Sequence, residues 1–141
     1  MHVPDRPPIG MALNRAARIV GRAFDEALTE AGGSLPIWLV LLNVGTERAA
    51  TQRSLAAALG LREPTLSPHL SAMESDGLIT RHRDDANRRV QVVALTDEGR
   101  VRFGRLREAA IAFDRELRRG IDDADLALVD EVLARLAGNV S

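Results

Sequence analysis

The chain has 141 residues, of which 45% are hydrophobic and 28% charged, and its formal net charge is −1. This length and apolar content fit a single domain with a real core, and the net charge excludes an indiscriminate polyanion binder but not a local basic surface. The absence of cysteine excludes disulfides, thiolate metal ligands and a cysteine nucleophile. The three histidines are scattered, so neither a metal site nor a cofactor is expected.

No segment has the pattern of a membrane anchor. The longest apolar run, residues 35–42, is far below the ~20 residues that span a bilayer. The polar, proline-rich N-terminal segment lacks the apolar core of a signal peptide. We therefore expect a cytoplasmic protein with no membrane partner.

Two helices are predicted after a disordered arm at residues 1–8. Across residues 9–31, apolar side chains recur at spacings of three and four, which indicates one apolar stripe along a helix. Ser34 is a good N-cap, and Pro36 suits the first helical turn. Because residues 35–44 are apolar on nearly every side, they predict a central, buried helix.

Two shorter helices are predicted next, joined by a tight turn. Thr51 is a good cap for the first. In the second, within residues 63–77, Leu66, Leu70 and Met73 recur at i, i+4 and i+7 and are expected to face inward.

Periodicity then becomes strand-like. Residues 78–83 and 88–95 form short runs separated by Asp and Asn turn formers, which predicts a β-hairpin. A long helix is predicted over residues 96–119 and a last helix from about residue 122 to 138.

The predicted fold is mainly α with a small β-hairpin: a winged helix-turn-helix within a helical dimerisation frame. The arm is residues 1–8, the helical dimerisation region is residues 9–35 and 97–141, and the DNA-binding region is residues 36–96, all in one continuous domain. The outer helices carry apolar stripes that would be exposed in a monomer, which favours a homodimer. The predicted dimer residues are Leu13, Val20, Phe24, Leu126, Val129 and Leu133.

In this arrangement the second short helix is the candidate recognition helix for the DNA major groove, and the hairpin tip is the candidate wing for the minor groove. The candidate DNA contacts are Arg53, Pro64, Thr65, Ser67, Pro68, Ser71, Arg81, Arg83, Asn87, Arg88 and Arg89.

Five motifs follow one another between residues 55 and 99: LAAALGL, PT-L-S, M-E-x-x-G-L-I-x-R, D-x-x-x-R-R and LTDEG. In this order they resemble the MarR family of bacterial transcription regulators, and the flanking helices match from about Ile9. The resemblance implies a homodimeric repressor on a pseudo-palindromic operator, often released by a small aromatic or phenolic ligand. Asn87 stands where the family usually has Asp, and Pro68 and Ala72 stand where it often has polar or basic residues, so the operator sequence does not carry over.

Several residues keep two interpretations. Arg88 is either a minor-groove contact, which we favour, or a solvated charge paired with Asp84 or Asp85. Arg81 and Arg83 either contact phosphates or line a solvated strand. For Arg53, a phosphate contact and no DNA contact are equally favoured.

Other residues of the predicted helices keep two interpretations as well. Pro68 either kinks the recognition helix or follows Ser67 as N-cap of a shortened one. For His69 a packing or hydrogen-bonding role is favoured over base recognition. Trp38 is core or, with Arg15, the wall of an effector pocket.

Competing functions are an enzyme and a winged-helix module that binds protein. The enzyme is poorly supported because the sequence has no phosphate-binding glycine loop, metal cluster or nucleophile set. A protein-binding wing has no special need for an arginine at its tip, so Arg88 favours DNA. A small-molecule effector is a further candidate partner.

Overall fold

The computed structural model describes residues 5–141, and within them the chain forms six helices and one hairpin. The elements are α1 (Ile9–Glu30), α2 (Leu35–Gly45), α3 (Gln52–Leu59), α4 (Glu63–Ser75), β1 (Ile79–Arg83), β2 (Gln91–Leu95), α5 (Asp97–Arg118) and α6 (Asp123–Val140). The predicted order of elements is confirmed. Of the predicted arm, residues 1–4 lie outside the described residues and residues 5–8 are exposed.

The predicted starts of α2 and α3 are set by side-chain caps. Ser34 Oγ accepts a hydrogen bond from the Ile37 amide at 3.3 Å, which satisfies a free N–H at the start of α2. Thr51 and Ser54 form a reciprocal capping box at the start of α3, with the Ser54 amide 3.0 Å from Thr51 Oγ1. At the other end of α3, Gly60 adopts a left-handed conformation with φ of 66°, which ends the helix.

The core lies where α2, α3, α4 and the hairpin meet. Buried side chains come from the end of α1, from α2, from the two short helices and from the strands. On α4, Leu66, Leu70 and Met73 are all buried, as their spacing predicted. Trp38 belongs to this core and stacks on Phe103 of α5 with ring centroids 5.9 Å apart. The core therefore fixes one face of α4 and leaves the opposite face outside.

The hairpin is bound to the body of the fold on one side. β1 and β2 are antiparallel, with Ile79 opposite Leu95 and Arg83 opposite Gln91. The Val93 amide donates to the Ala50 carbonyl at 2.8 Å, which joins β2 to the segment before α3. The base of the hairpin is thereby held, while residues 84–90 extend beyond the paired strands.

The start of α5 is packed against the end of the turn after α4. Thr96 Oγ1 accepts from the Gly99 amide at 2.9 Å and donates to the Gly77 carbonyl at 2.6 Å. The Thr96 amide donates to the Leu78 carbonyl at 3.1 Å. A Cβ on Gly99 would overlap that same carbonyl, so α5 can approach only because residue 99 has no side chain.

The described residues form two compact units, residues 5–110 and residues 111–141, with the boundary inside α5. The second unit consists of the end of α5 and all of α6, and α6 has no buried residue. The predicted limits of the dimerisation and DNA-binding regions remain a prediction.

No single helix within residues 5–141 combines the length and the apolar character needed to cross a membrane. Taken together, α1 and α2 meet these two criteria, but they are bent by 75° relative to each other.

Candidate nucleic-acid interface

The outer face of α4 carries short side chains. Of the residues predicted to face outward for DNA contact, Pro64, Thr65, Pro68 and Ser71 are exposed and Ser67 is half-buried. Hydroxyl groups can hydrogen-bond to bases or phosphates, and proline rings can contact thymine methyl groups. This face is therefore suited to close approach in a groove more than to long-reach hydrogen bonding.

Pro68 lies inside a continuous helix. α4 begins at Glu63, with Pro64 in its first turn, and continues to Ser75. Pro64 costs little there, because the first amides of a helix have no intrahelical partner. The alternative in which Ser67 caps a shortened helix is wrong, and the full length of α4 is available to a groove.

His69 is the residue of α4 that the sequence interpretation placed wrongly. Its imidazole was expected to pack at the edge of the buried face, but the side chain is exposed and makes no hydrogen bond with the described residues. An imidazole can both donate and accept, so His69 adds hydrogen-bonding capacity to an otherwise short-chained face. Its position one residue before buried Leu70, at the edge of the stripe, gave no clear signal either way.

The hairpin tip is shaped by its own backbone. Asn87 Oδ1 accepts from the Arg89 amide at 3.2 Å, and the Asn87 carbonyl accepts from the Val90 amide at 2.9 Å. The Asp84 amide donates to the Val90 carbonyl at 2.9 Å and closes the loop. The side chain of Asn87 therefore builds the turn that presents its neighbours.

Arg88 is exposed at this tip. Among residues 5–141, no ion pair joins its guanidinium to Asp84 or Asp85, so the interpretation as a paired surface charge has no support. Its backbone carbonyl accepts from Arg83 Nη1 at 3.0 Å, so the side chain of Arg83, at the end of β1, supports the loop. The result is an uncommitted guanidinium on a fixed loop.

Arg81 has a different environment from Arg83. Its side chain is only 13% exposed and contacts Glu74 at 3.3 Å, together with Ser71 and Gln52. Arg81 and Ser71, which were both predicted to contact DNA, therefore hydrogen-bond to each other.

A polar cleft of about 420 Å³ lies between the start of α3, the start of α4 and the hairpin. Three of the predicted arginines, Arg53, Arg83 and Arg89, line it together with Asn87. Residues 36 positions apart in the sequence are thus assembled into one basic surface beside the recognition helix. Glu63 is an acidic group in the same lining.

The two predicted effector residues are not brought together by the described clefts. Trp38 is buried in the core against Phe103. Arg15 is exposed and lines a wide cleft of about 970 Å³ along α1, beside Met11 and Ile19.

Comparison with known proteins places this arrangement. The sequence profile of the MarR family matches residues 34–90, which run from the cap of α2 to the end of the wing loop. The crystal structure of the transcriptional regulator PA3341 is 32% identical, with a TM-score of 0.78 over 94% of this chain and 98% of that one. The chain belongs to the MarR family.

Other MarR-type relatives agree over most of the chain. The uncharacterised HTH-type transcriptional regulator YdgJ of Bacillus subtilis is 28% identical over 88% of this chain and 74% of its own length. The repressor CouR bound to a 23-mer DNA duplex is 26% identical, with a TM-score of 0.82 over 92% of both chains. CouR of Rhodococcus jostii RHA1 bound to p-coumaroyl-CoA is 27% identical, with a TM-score of 0.77 over 92% of this chain and 91% of that one.

Family membership confirms the predicted class of protein. MarR regulators are transcription factors that act as dimers on double-stranded DNA and are not enzymes. The matched range contains α4 and the loop that bears Arg88, so the family signal coincides with the surface described above.

Proposed function

We propose that this MarR regulator is a repressor that binds a pseudo-palindromic operator as a homodimer. The observation that carries the proposal is the exposed, unpaired Arg88 on a wing loop braced by Arg83. The DNA-bound structure of CouR, described as a transcriptional repressor, supports it. A wing that bound protein would not need a free guanidinium at this point.

In this proposal α4 enters the major groove and the wing enters the adjacent minor groove. Pro64, Thr65 and Pro68 lie against base edges, with His69 as the longer hydrogen-bonding side chain of that face. Arg88 enters the minor groove, where the phosphate potential is focused and an arginine is favoured.

The basic cleft beside α4 supplies the phosphate contacts. Arg53, Arg83 and Arg89 line a space into which a sugar–phosphate backbone can run while α4 occupies the groove. Their charge gives affinity without sequence information, so the proposal assigns recognition to α4 and to the wing tip, and register to these arginines.

The homodimer is expected from apolar surfaces at both ends of the chain. On α1, Leu13 is exposed while Val20 and Phe24 are half-buried. On α6, Val129 and Leu133 are exposed and Leu126 is half-buried, and the exposed Leu128 and Val132, which the stripe did not predict, widen this face. Exposed apolar faces mark interaction surfaces, and the partner that we propose for these faces is a second copy of the chain.

We predict that sedimentation at micromolar concentration gives a mass near twice 15.3 kDa. Val129→Asp and Leu133→Asp place charges in the proposed interface and should shift the mass toward that of the monomer. The matched control is Val101→Asp, which changes an exposed apolar residue of α5. A folded wild-type monomer at this concentration would contradict the homodimer.

The operator is tested on the duplex upstream of the protein's own coding sequence. Two-fold symmetry predicts protection of two half-sites with centres about one helical turn, ~10 bp, apart. DNase footprinting and stoichiometric titration should give two protomers per site. Protection of a single asymmetric site by one protomer would refute this arrangement, and transcription assays with and without the protein decide between repression and activation.

We propose a small aromatic or phenolic ligand as the effector, supported by CouR bound to p-coumaroyl-CoA, whose acyl group carries a phenol ring. Arg15 offers a cation for an anionic group of such a ligand, beside the apolar side chains of Met11 and Ile19. Trp38 could take part only if the core around Phe103 opened. The probe is p-coumarate added to the operator complex. Release of the operator from wild type but not from Arg15→Ala is the expected result, and retention by wild type excludes this acid as effector.

A further inference from the structure

The side chain of Arg81 joins three elements of the DNA-binding unit. From β1, its Nη2 donates to Ser71 Oγ at 2.9 Å and to Glu74 Oε1 at 3.3 Å, both on α4. Its Nη1 lies 3.5 Å from Gln52 Oε1, at the start of α3. The Arg81 amide also donates to Glu74 Oε2 at 3.2 Å, so both oxygens of that carboxylate are bound to one residue.

Burial makes these contacts more than a surface ion pair. The Arg81 side chain is 13% exposed and that of Glu74 is 42% exposed, so only one end of the pair is open to solvent. The Arg81 Nε is buried and has no hydrogen-bond partner within residues 5–141. A guanidinium has five N–H groups. In Arg81, three of them donate to Ser71, Glu74 and Gln52, and the fourth, on Nε, is buried. One N–H on Nη1 is therefore left to donate to a group outside the protein, such as a DNA phosphate.

We propose that Arg81 is a positioning residue that fixes the angle of the recognition helix, and that it is not a phosphate contact. The inference rests on the proposed operator binding and adds a role that its DNA contacts do not supply. Ser71 and Glu74 are three positions apart, so they lie on one side of α4, and Arg81 holds that side against β1.

Apolar packing and directional hydrogen bonds both hold α4 against the rest of the fold, and they constrain it differently. Leu66, Leu70 and Met73 form the buried face of α4, but apolar burial is non-directional and does not by itself fix the exact angle of the helix. A planar guanidinium with two acceptors on α4 and one on α3 is directional, so it opposes rotation of α4 about its axis. Because Pro64 and Pro68 have short, rigid side chains, a rotated α4 cannot restore their base contacts by moving them.

The first test is Arg81→Lys, which retains the positive charge but loses the planar set of donors. The operator and a scrambled duplex are titrated at several salt concentrations. We expect operator affinity to fall by about 10-fold, while affinity for the scrambled duplex and its salt dependence stay at wild-type values. Operator affinity equal to that of wild type would show that the charge alone matters, and would overturn the positioning role.

The second test has opposite expected signs for the two roles. Glu74→Ala removes an acceptor of Arg81 and also a negative charge from the DNA-facing unit. If Arg81 does not position α4, loss of a carboxylate strengthens DNA binding; if it does, operator binding weakens. Asp76→Ala is the matched control, because Asp76 is exposed at the end of the same helix and makes no hydrogen bond to Arg81. Equal, strengthened binding by both variants would overturn the inference.

The two tests distinguish failure of the Arg81 role from failure of the proposed operator binding. If the wild-type protein discriminates no duplex from the scrambled one, operator binding fails and the Arg81 role fails with it. If wild type is selective and the Glu74 variant is equally selective, only the Arg81 role fails. Glu74 lies on a helix surface where alanine favours helix, so this variant remains informative even if Arg81→Lys does not fold.

Discussion

Replacing Arg88 with alanine is expected to weaken operator binding by roughly 5- to 150-fold, or about 1–3 kcal/mol. The change should leave folding nearly untouched, within ~0.5 kcal/mol, because the side chain is exposed and makes no ion pair with the described acidic residues. The loop itself is held by backbone atoms of Asn87, Val90 and Asp84 and by the Arg83 side chain. None of these contacts uses the guanidinium of Arg88.

The size of the effect comes from the proposed groove. In a narrow minor groove the guanidinium is partly desolvated and lies between two phosphate backbones, so its loss costs more than that of a solvated charge. The slope of log affinity against log salt should also become shallower by about one, since roughly one fewer phosphate is neutralised. Isothermal titration or fluorescence anisotropy at several salt concentrations measures both quantities.

Arg107→Ala provides the control, because it removes the same charge from an exposed position on α5. It should leave operator affinity within about twofold of wild type. Equal weakening by both substitutions would indicate diffuse attraction to DNA in place of a wing contact. Unchanged binding by Arg88→Ala would leave the wing as a structural hairpin.

Most of the fold could be predicted because its elements are determined by short-range chemistry. The caps at Ser34 and Thr51 need only residues within three positions, and the buried stripe of α4 needs only one helical face. Gly60 ends α3 because its left-handed conformation is local too. Such signals lie entirely within the sequence window that contains the element.

The site was less predictable because its contacts join distant segments. Arg81 contacts Gln52 across 29 positions, and its partners decide whether it faces the protein or the solvent. The alternation of a strand predicts the side of the hairpin on which Arg81 lies, but it does not predict which hydrogen-bond acceptors of α3 and α4 lie on that side. The same holds for Trp38, whose stacking on Phe103 shows it as core rather than as an open pocket wall.

The start of α5 could be predicted from the sequence only in part. A long helix was predicted from residue 96, within the LTDEG motif, and in the structure Thr96 Oγ1 accepts from the Gly99 amide at 2.9 Å just as α5 begins. The need for glycine at position 99 could not be derived from the motif alone, because it arises from the carbonyl of Leu78 in a preceding segment.

Gly99→Ala is expected to destabilise the fold by about 3 kcal/mol or more. The added methyl group would overlap the Leu78 carbonyl oxygen and lie 3.0 Å from its carbon, and this neighbour is backbone that cannot rotate away. That carbonyl also accepts from the Thr96 amide at 3.1 Å, so a shift of the chain would lose a hydrogen bond as well. Thermal and urea unfolding followed by circular dichroism measure the loss.

The matched control is Gly104→Ala, on the same helix, where a new Cβ meets no atom within 4 Å. This substitution should stabilise by about 0.5–1 kcal/mol, because alanine loses less conformational entropy than glycine in a helix. Opposite signs for two identical changes five residues apart would show that the effect at Gly99 is steric and not a matter of helix propensity. An unfolding temperature of Gly99→Ala equal to or above that of wild type would show that α5 does not approach Leu78 this closely, or that the turn after α4 shifts to accommodate the methyl group.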